Sequence, residues 1–227
     1  HATMHRVRFV EDCIMKVKFV FCLFMSLQCF PLFSQNIIYA NLKGLMTYVG
    51  DTVSVLRVEK RSRNQILLTG GADYRISVGV DESSDQRLKR RCFAVRDSSG
   101  NLYLNCRKLR YNKLRFGAWF APALQLGNHI YFSAMPLGSA VGSVFANDDN
   151  VKLGGHIGDA IAASSLVTKR VCYELDTVTG RVDFVDANKM SALLAPYPDL
   201  LEAYVNETNL EDKYSFKYLL LLHAKLE

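Results

Sequence analysis

The residues best spaced for chemistry are two cysteines on either side of a turn. Residues 92–106 read Cys-Phe-Ala-Val-Arg-Asp-Ser-Ser-Gly-Asn-Leu-Tyr-Leu-Asn-Cys, two strand-like runs joined by the turn-favouring stretch Asp97–Asn101. A turn centred on Ser99 sets Cys92 opposite Cys106. In an antiparallel, non-hydrogen-bonded pair the two thiols then lie on one face within bonding distance. In an oxidising compartment that chemistry is a disulfide closing a loop of about 15 residues, worth roughly 3 kcal/mol in the chain-entropy model. The alternative is two buried thiols in an ordinary hairpin, since a register slip of one residue separates them. Cys172 is left over as a small core residue.

Other reactive groupings are thin. His129, His156 and His223 have no second His or Cys at metal-ligand spacing, so neither a metal nor a cofactor is expected. His156 beside Asp159, with Ser164 or Ser165 following, can be drawn as base, carboxylate and nucleophile, but helical neighbours of this kind arise by chance, and no catalytic residue is assigned. Gly70-Gly-Ala-Asp73 precedes a strand, not the helix that a phosphate-binding loop requires. Asn206-Glu-Thr208 is formally a glycosylation acceptor, relevant only in a eukaryotic host.

Charge gives the clearest pointer to partners. From Arg57 to Arg115 fifteen Lys or Arg face six acids, a net of +9, whereas from Phe116 to Glu227 eight face thirteen, a net of −5. Arg87, Lys89 and Arg90 on one arm and Lys108, Arg110 and Lys113 on the other form the expected anion- or partner-binding set. Their partner would be an anionic envelope surface such as lipid or lipopolysaccharide phosphate, an acidic protein, or the acidic C-terminal half of the same chain. A solvated outer face of strands explains the charges equally well. Tyr218, Leu219, Leu220 and Leu222, in a run apolar almost all round, form a second expected interface. Self-association is left open.

The elements that must position these residues follow an export signal. After Met15, Lys16 and Lys18 precede the apolar run Phe19–Leu27, and small Ser34 suits a cleavage site, so residues 15–34 are expected to be a secretory signal peptide. A retained anchor needs about 20 apolar residues and would have to absorb Gln28, Pro31 and Ser34. Residues 1–14 are taken as extraneous sequence or a start assigned too early. Export removes nucleic acid as a partner for the basic half and is compatible with peripheral membrane association. Residues 35–227, about 190 in number, are enough for one domain with a sizeable core.

That domain is expected to be α+β, with antiparallel hairpins over residues 53–135 and 171–185 packed on short C-terminal helices. Ile37–Tyr48 suggests an amphipathic helix; Val53–Val58, Gln65–Leu68 and Tyr74–Val80 suggest strands. Hairpins are expected around Gly127-Asn128 and around Asp176–Gly180. Asp186 is a helix cap, Pro198 suits a helix first turn, and Thr208 with Glu211 forms a capping box for a third helix. Residues 137–166, rich in Gly, Ala and Ser, are expected to be a crossover with a short helix over Gly155–Leu166.

Gly50-Asp-Thr-Val, Val58-Glu-Lys-Arg-Ser, Gly70–Arg75, Arg91-Cys-Phe-Ala-Val, Leu102–Lys108, the Gly127–Gly138 segment and Leu193–Leu201 together resemble a family of small exported proteins of unknown function from gut Bacteroidetes. The resemblance implies secretion to the periplasm or outer envelope of a Gram-negative bacterium and brings no activity or site residues with it. Two function classes stay open: a non-catalytic binding module with a basic β surface, and a secreted enzyme with an unrecognised site. An enzyme should gather polar groups of shifted pKa in a concavity, a binding module a one-signed or apolar patch. Intact mass of the periplasmic protein is expected to begin at Gln35 or Asn36; Met15 retained on a membrane-bound product would sink the export reading.

Overall fold

The computed structural model describes residues 35–62, 64–66, 71–79, 82–111, 114–134 and 171–226. The expected signal segment, the 137–166 crossover with His156, Asp159, Ser164 and Ser165, and Lys113 all lie outside the described residues.

The helix expected over Ile37–Tyr48 is instead strand β1 (Asn36–Tyr39) followed by a short helix α1 (Leu42–Met46). Ile37 and Ile38 are β-branched, and β1 is hydrogen-bonded on both edges, to β2 (Asp51–Val53) and to β5 (Ala94–Arg96). Long-range pairing therefore outweighs the local helical spacing of apolar residues. Strand β3 (Arg57–Lys60) pairs with β4 (Tyr74–Ser77), and between them residues 64–66 are helical, so Gln65 and Ile66 are not on the strand expected over Gln65–Leu68, whose other two residues lie outside the described ones.

The basic run before the cysteine hairpin, expected on strand faces, is helix α2 (Glu82–Arg91). Glu82 and Asp85 stand in its first turn and Lys89, Arg90 and Arg91 in its last, which suits the helix dipole. Asp85 also accepts the Val78 N–H at 2.8 Å. The hairpin that follows pairs β5 with β6 (Leu102–Asn105) through Ala94↔Leu104, Val95↔Tyr103 and Arg96↔Leu102, the register a turn at Ser99 demands. A 3-10 turn (Cys106–Lys108) and the small β7 (Arg110–Tyr111) and β8 (Leu114–Arg115) pair lead to β9 (Phe120–Leu126). β9 and β10 (His129–Ala134) form the expected hairpin at Gly127-Asn128, where Gly127 has φ +58°. β11 (Val171–Asp176) and β12 (Val182–Phe184) form the other expected hairpin.

The main sheet runs β12-β11-β10-β9-β6-β5-β1-β2, with β4 and then β3 branching from β9 at the Tyr74↔Phe120 pair. Alternation along each strand sends two residue sets to opposite faces. On one face Tyr39, Ala94, Leu104, Phe132 and Tyr173 join the largest buried cluster, completed by Leu109, Tyr111, Phe116 and Tyr214. The other face is covered in two parts. The β3–β4 pair and α2 lie over Val95, Tyr103 and Phe120, and C-terminal helices lie over Tyr131 and Cys172. The architecture is α+β.

Those helices are α3 (Ala187–Leu194), capped by Asp186 accepting from the Lys189 N–H at 2.7 Å, α4 (Pro198–Val205), α5 (Leu210–Tyr214) and α6 (Lys217–Leu226). Asn209, not Thr208, caps α5 by accepting the Glu211 N–H, and the single third helix expected is broken at Ser215. Tyr218, Leu219 and Leu222 share the stripe that packs into the core, while Leu220 is 52% exposed. The expected apolar interface is thus mostly interior, because the five-residue apolar run Tyr218–Leu222 on a helix cannot all face outward.

Cys92, Cys106 and Cys172 are free and buried, so the expected Cys92–Cys106 bridge is not formed. The register is right, but the chain leaves the strand before reaching Cys92. That residue follows α2 and turns its thiol into the cluster under β4, where it donates to the Ala94 carbonyl at 3.1 Å. Cys106 points into the cluster on the opposite face of the sheet. Burial pushes the Cys92 thiol up to about 12 and raises those of Cys106 and Cys172 well above the ordinary thiol value. Thiol reagents at pH 8 should therefore leave all three unmodified in the native protein and react with each after denaturation without reductant; recovery of a linked 92–106 peptide in a non-reducing digest would contradict this arrangement.

Candidate functional site

The single tryptophan of the chain, Trp119, sits half-buried just ahead of β9 with φ +85°. A bulky residue in the left-handed region is strained by about 1–3 kcal/mol and persists only where its surroundings over-determine it. Here they do. The Trp119 carbonyl accepts the Cys106 N–H at 3.0 Å and the Ala118 carbonyl accepts the Ala72 N–H at 3.3 Å. Gly71, at φ +82°, lies so close that a β-carbon would meet the Ala118 oxygen at 2.4 Å.

Three cations, one from the loop after β3, one from β4 and one from α2, converge on the Trp119 ring. The Arg61 guanidinium lies 5.0 Å from the ring centroid, Arg75 of β4 lies 5.9 Å away and the Lys89 ammonium of α2 lies 4.9 Å away. Arg61 is buried and structural: it donates to the Ala72 carbonyl at 2.7 Å and the Gln65 carbonyl at 3.0 Å, and its own N–H reaches the Asp73 carbonyl. Arg75 is exposed and Lys89 half-buried, so these two present charge to solvent. Each such contact is worth about 0.5–1 kcal/mol when exposed and about 2 when desolvated, while the like charges gathered there repel one another. Glu59, opposite Arg75 in the β3–β4 register, is the acid nearest in the ladder.

Lys89 is held in place by Asn105, which is 1% exposed. The Asn105 amide donates to the Lys89 carbonyl at 2.9 Å and the Cys92 carbonyl at 2.8 Å, and its oxygen accepts the Arg107 N–H at 3.1 Å. Because Asn105 also pairs with Phe120, one residue along from Trp119, the same amide fixes both the helix end and the ring.

Of the six basic residues expected to act together, the five that are described, Arg87, Lys89, Arg90, Lys108 and Arg110, do not share a face. Lys89 meets Trp119, whereas Arg87 lies with Arg91 on the side of α2 that lines a cleft against β1 and β2. Arg90 and Lys108 are exposed, and Arg110 stands opposite Arg115 on the β7–β8 pair, where like charges repel. Five C-terminal acids are engaged within their own half: Glu174 with Lys189 at 2.5 Å, Asp183 with Arg181 at 3.0 Å, Glu207 and Asp212 with Lys217, and Asp199 with Lys225. Arg61, Arg75 and Trp119 escape sequence inspection because 58 positions separate the first from the last; the local signal was a lone Trp two residues after Gly117.

An acid–base grouping exists at Glu174, which His129, Tyr131 and Lys189 approach at 3.0, 3.1 and 2.5 Å. None of these four lines the cleft beside Arg87 and Arg91 or a second one bordered by Tyr48, Tyr103 and His223. The strongest pKa shifts, at Cys106, Cys172 and Tyr173, come first from burial in the core and not from groups converging in a concavity. Among the described residues no group of three or more His, Cys, Asp or Glu is placed to hold a metal ion. No described helix is long and apolar enough to cross a membrane.

A model for a family of unknown function (DUF6563) matches residues 37–226. No curated protein and no solved structure matches the chain. Replacing Asn105 by Ala should cost about 1–3 kcal/mol in urea unfolding, because two buried carbonyls lose their donors, and should also shift Trp119 emission as Lys89 leaves the ring. An Ala variant as stable as the parent with unchanged emission would show that the clamp does not hold α2.

Proposed function

We propose a function for this chain, which belongs to the DUF6563 family of unknown function: it is an exported, non-catalytic binding module that captures phosphate-bearing surfaces of the cell envelope on its Trp119 face. The observation that carries this reading is the convergence of Arg61, Arg75 and Lys89 on one strained, half-buried ring. Strain and like-charge crowding are kept where function needs them, and an anion seated between Arg75 and Lys89 offsets the crowding. Arg61 supplies rigidity beneath, so the two outer cations approach a ligand with little ordering left to do.

Two further supports come from elsewhere in the chain. Residues 15–34 have the three-part pattern of a signal peptide, which suits the periplasm or outer envelope of a Gram-negative bacterium. Five acids of the C-terminal half, Glu174, Asp183, Asp199, Glu207 and Asp212, pair with lysines and an arginine of that same half, so these five do not neutralise the basic half. The Glu174 grouping is what favours the alternative, a secreted enzyme; with the carboxylate already engaged by Tyr131 and Lys189, it fits a structural network better.

The lone tryptophan is its own probe. With the domain from residue 35 onward, titration with phosphatidylglycerol vesicles at about 0.01 M salt should change Trp119 emission, and phosphatidylcholine vesicles should not. Raising salt to about 0.15 M shortens the Debye length from about 30 Å to about 8 Å and should weaken binding. Arg75→Gln with Lys89→Gln should weaken it roughly tenfold or more, at about 1 kcal/mol per basic residue near an anionic surface. Equal binding to both lipids, or none, would eliminate the envelope-surface reading; an acidic protein that shifts Trp119 where vesicles fail would redirect it to a protein partner.

A further inference from the structure

The side of α2 away from Trp119 carries a second, chemically different site. The main sheet ends at β2 and its branch ends at β3, and among the described residues neither strand has a partner on its outer edge. The sheet therefore stays open between them, and a cleft of about 580 Å³ leads inward there. That volume falls within the roughly 300–1,000 Å³ typical of small-molecule sites.

The cleft has an apolar floor and a cationic rim. Ile38, Val53, Val55, Val78 and Leu88 line it, and Val78 and Leu88 belong to the buried cluster beneath β4. At the rim stand Arg87 and Arg91, one helical turn apart and so on one face of α2. Both are exposed, and neither has a hydrogen-bond or ion-pair partner among the described residues. The helix dipole accounts for basic residues at this end of α2, but it accounts for neither the apolar floor nor the choice of this side of the helix. Asp51 is the one acid among the lining residues, so two guanidinium groups face one carboxylate. Cys92 also lines the cleft, and burial pushes its thiol up to about 12, which removes the thiolate needed for covalent capture.

We infer that this cleft binds a single-chain anionic amphiphile, its alkyl tail on the Ile38–Val53–Leu88 floor and its carboxylate or phosphate head between Arg87 and Arg91. Two arginines offer the paired donors that planar or tetrahedral oxyanions accept, and an apolar floor leading out from the core accepts the tail. A peptide strand added to the open sheet edge fits less well. β2 presents only three residues, short of the five or six of a typical strand.

Calorimetry with decanoate, decyl phosphate, decanol and acetate, each below its micelle concentration, tests the inference. One decanoate per chain is expected, bound about tenfold or more tighter than decanol, with acetate too weak to measure. Arg87→Gln with Arg91→Gln should remove that advantage while leaving decanol affinity unchanged, and both positions are exposed enough to spare the fold. Decyl phosphate at least matching decanoate would point to a phospholipid-like source, and the reverse order to a free fatty acid; either supports the site. Equal affinity for decanoate and decanol, or no saturable binding, would overturn it. Trp119→Phe should leave decanoate affinity intact, so failure here is distinguishable from failure of the vesicle reading.

Discussion

The amide of Asn105 is the contact on which both faces of α2 depend. That helix buries only Leu88, far less apolar surface than helices use to dock, so packing alone does not fix its position. Three hydrogen bonds from one buried side chain do so instead, tying the Lys89 and Cys92 carbonyls to the end of β6 and to the 3-10 turn beyond it. With the helix end pinned, rotation about its axis is settled too: Lys89 turns to Trp119 and Arg87 with Arg91 turns to the β2 edge. A polar side chain fully inside a core is tolerable only with every hydrogen bond made, and Asn105 meets that condition with both donors and its acceptor engaged.

What the sequence made legible were the local turns. Asp97–Asn101, Gly127-Asn128 and Asp176–Gly180 each join strands through residues that accept turn geometry, and in each case the structure closes a hairpin there. The Asp186 cap and the Pro198 first turn were legible for the same reason, since the interactions span three or four positions. Where distant pairing decides, local pattern misled. Ile37–Tyr48 has apolar residues at helical intervals, yet β1 is claimed by strands on both sides. α2 was missed because its composition lacks an apolar stripe; only the acid-first, base-last order marked it as a helix.

The candidate site was legible as charge and not as place. A net of +9 over residues 57–115 was plain, and Lys89 was among the residues chosen from it. Yet Arg87, Lys89 and Arg90 are turned to different sides by the change from strand to helix, and the focus of the site, Trp119, carries no charge. A ring becomes a site only when Arg61, Arg75 and Lys89 are brought to it, and that requires β4 to branch from β9 at Phe120. The paired cysteines teach the converse: a correct register extended two residues past the end of its strand places a thiol on the wrong face.

The branching of the sheet also bears on how the chain reaches its native state. β1 is the first described strand and pairs with β5, about 57 positions later, while β10 and β11 pair across residues 135–170. Few of these ladders can form until most of the domain is present, and chains dominated by such non-local pairings fold in milliseconds to seconds rather than microseconds. No disulfide fixes an intermediate, since all three described cysteines stay reduced in the core. A slow folder whose β2 and β3 edges have no partner among the described residues stays exposed to association with other copies while it waits, and the exposed arginines and lysines beside those edges are the kind of like-charge guard that limits it.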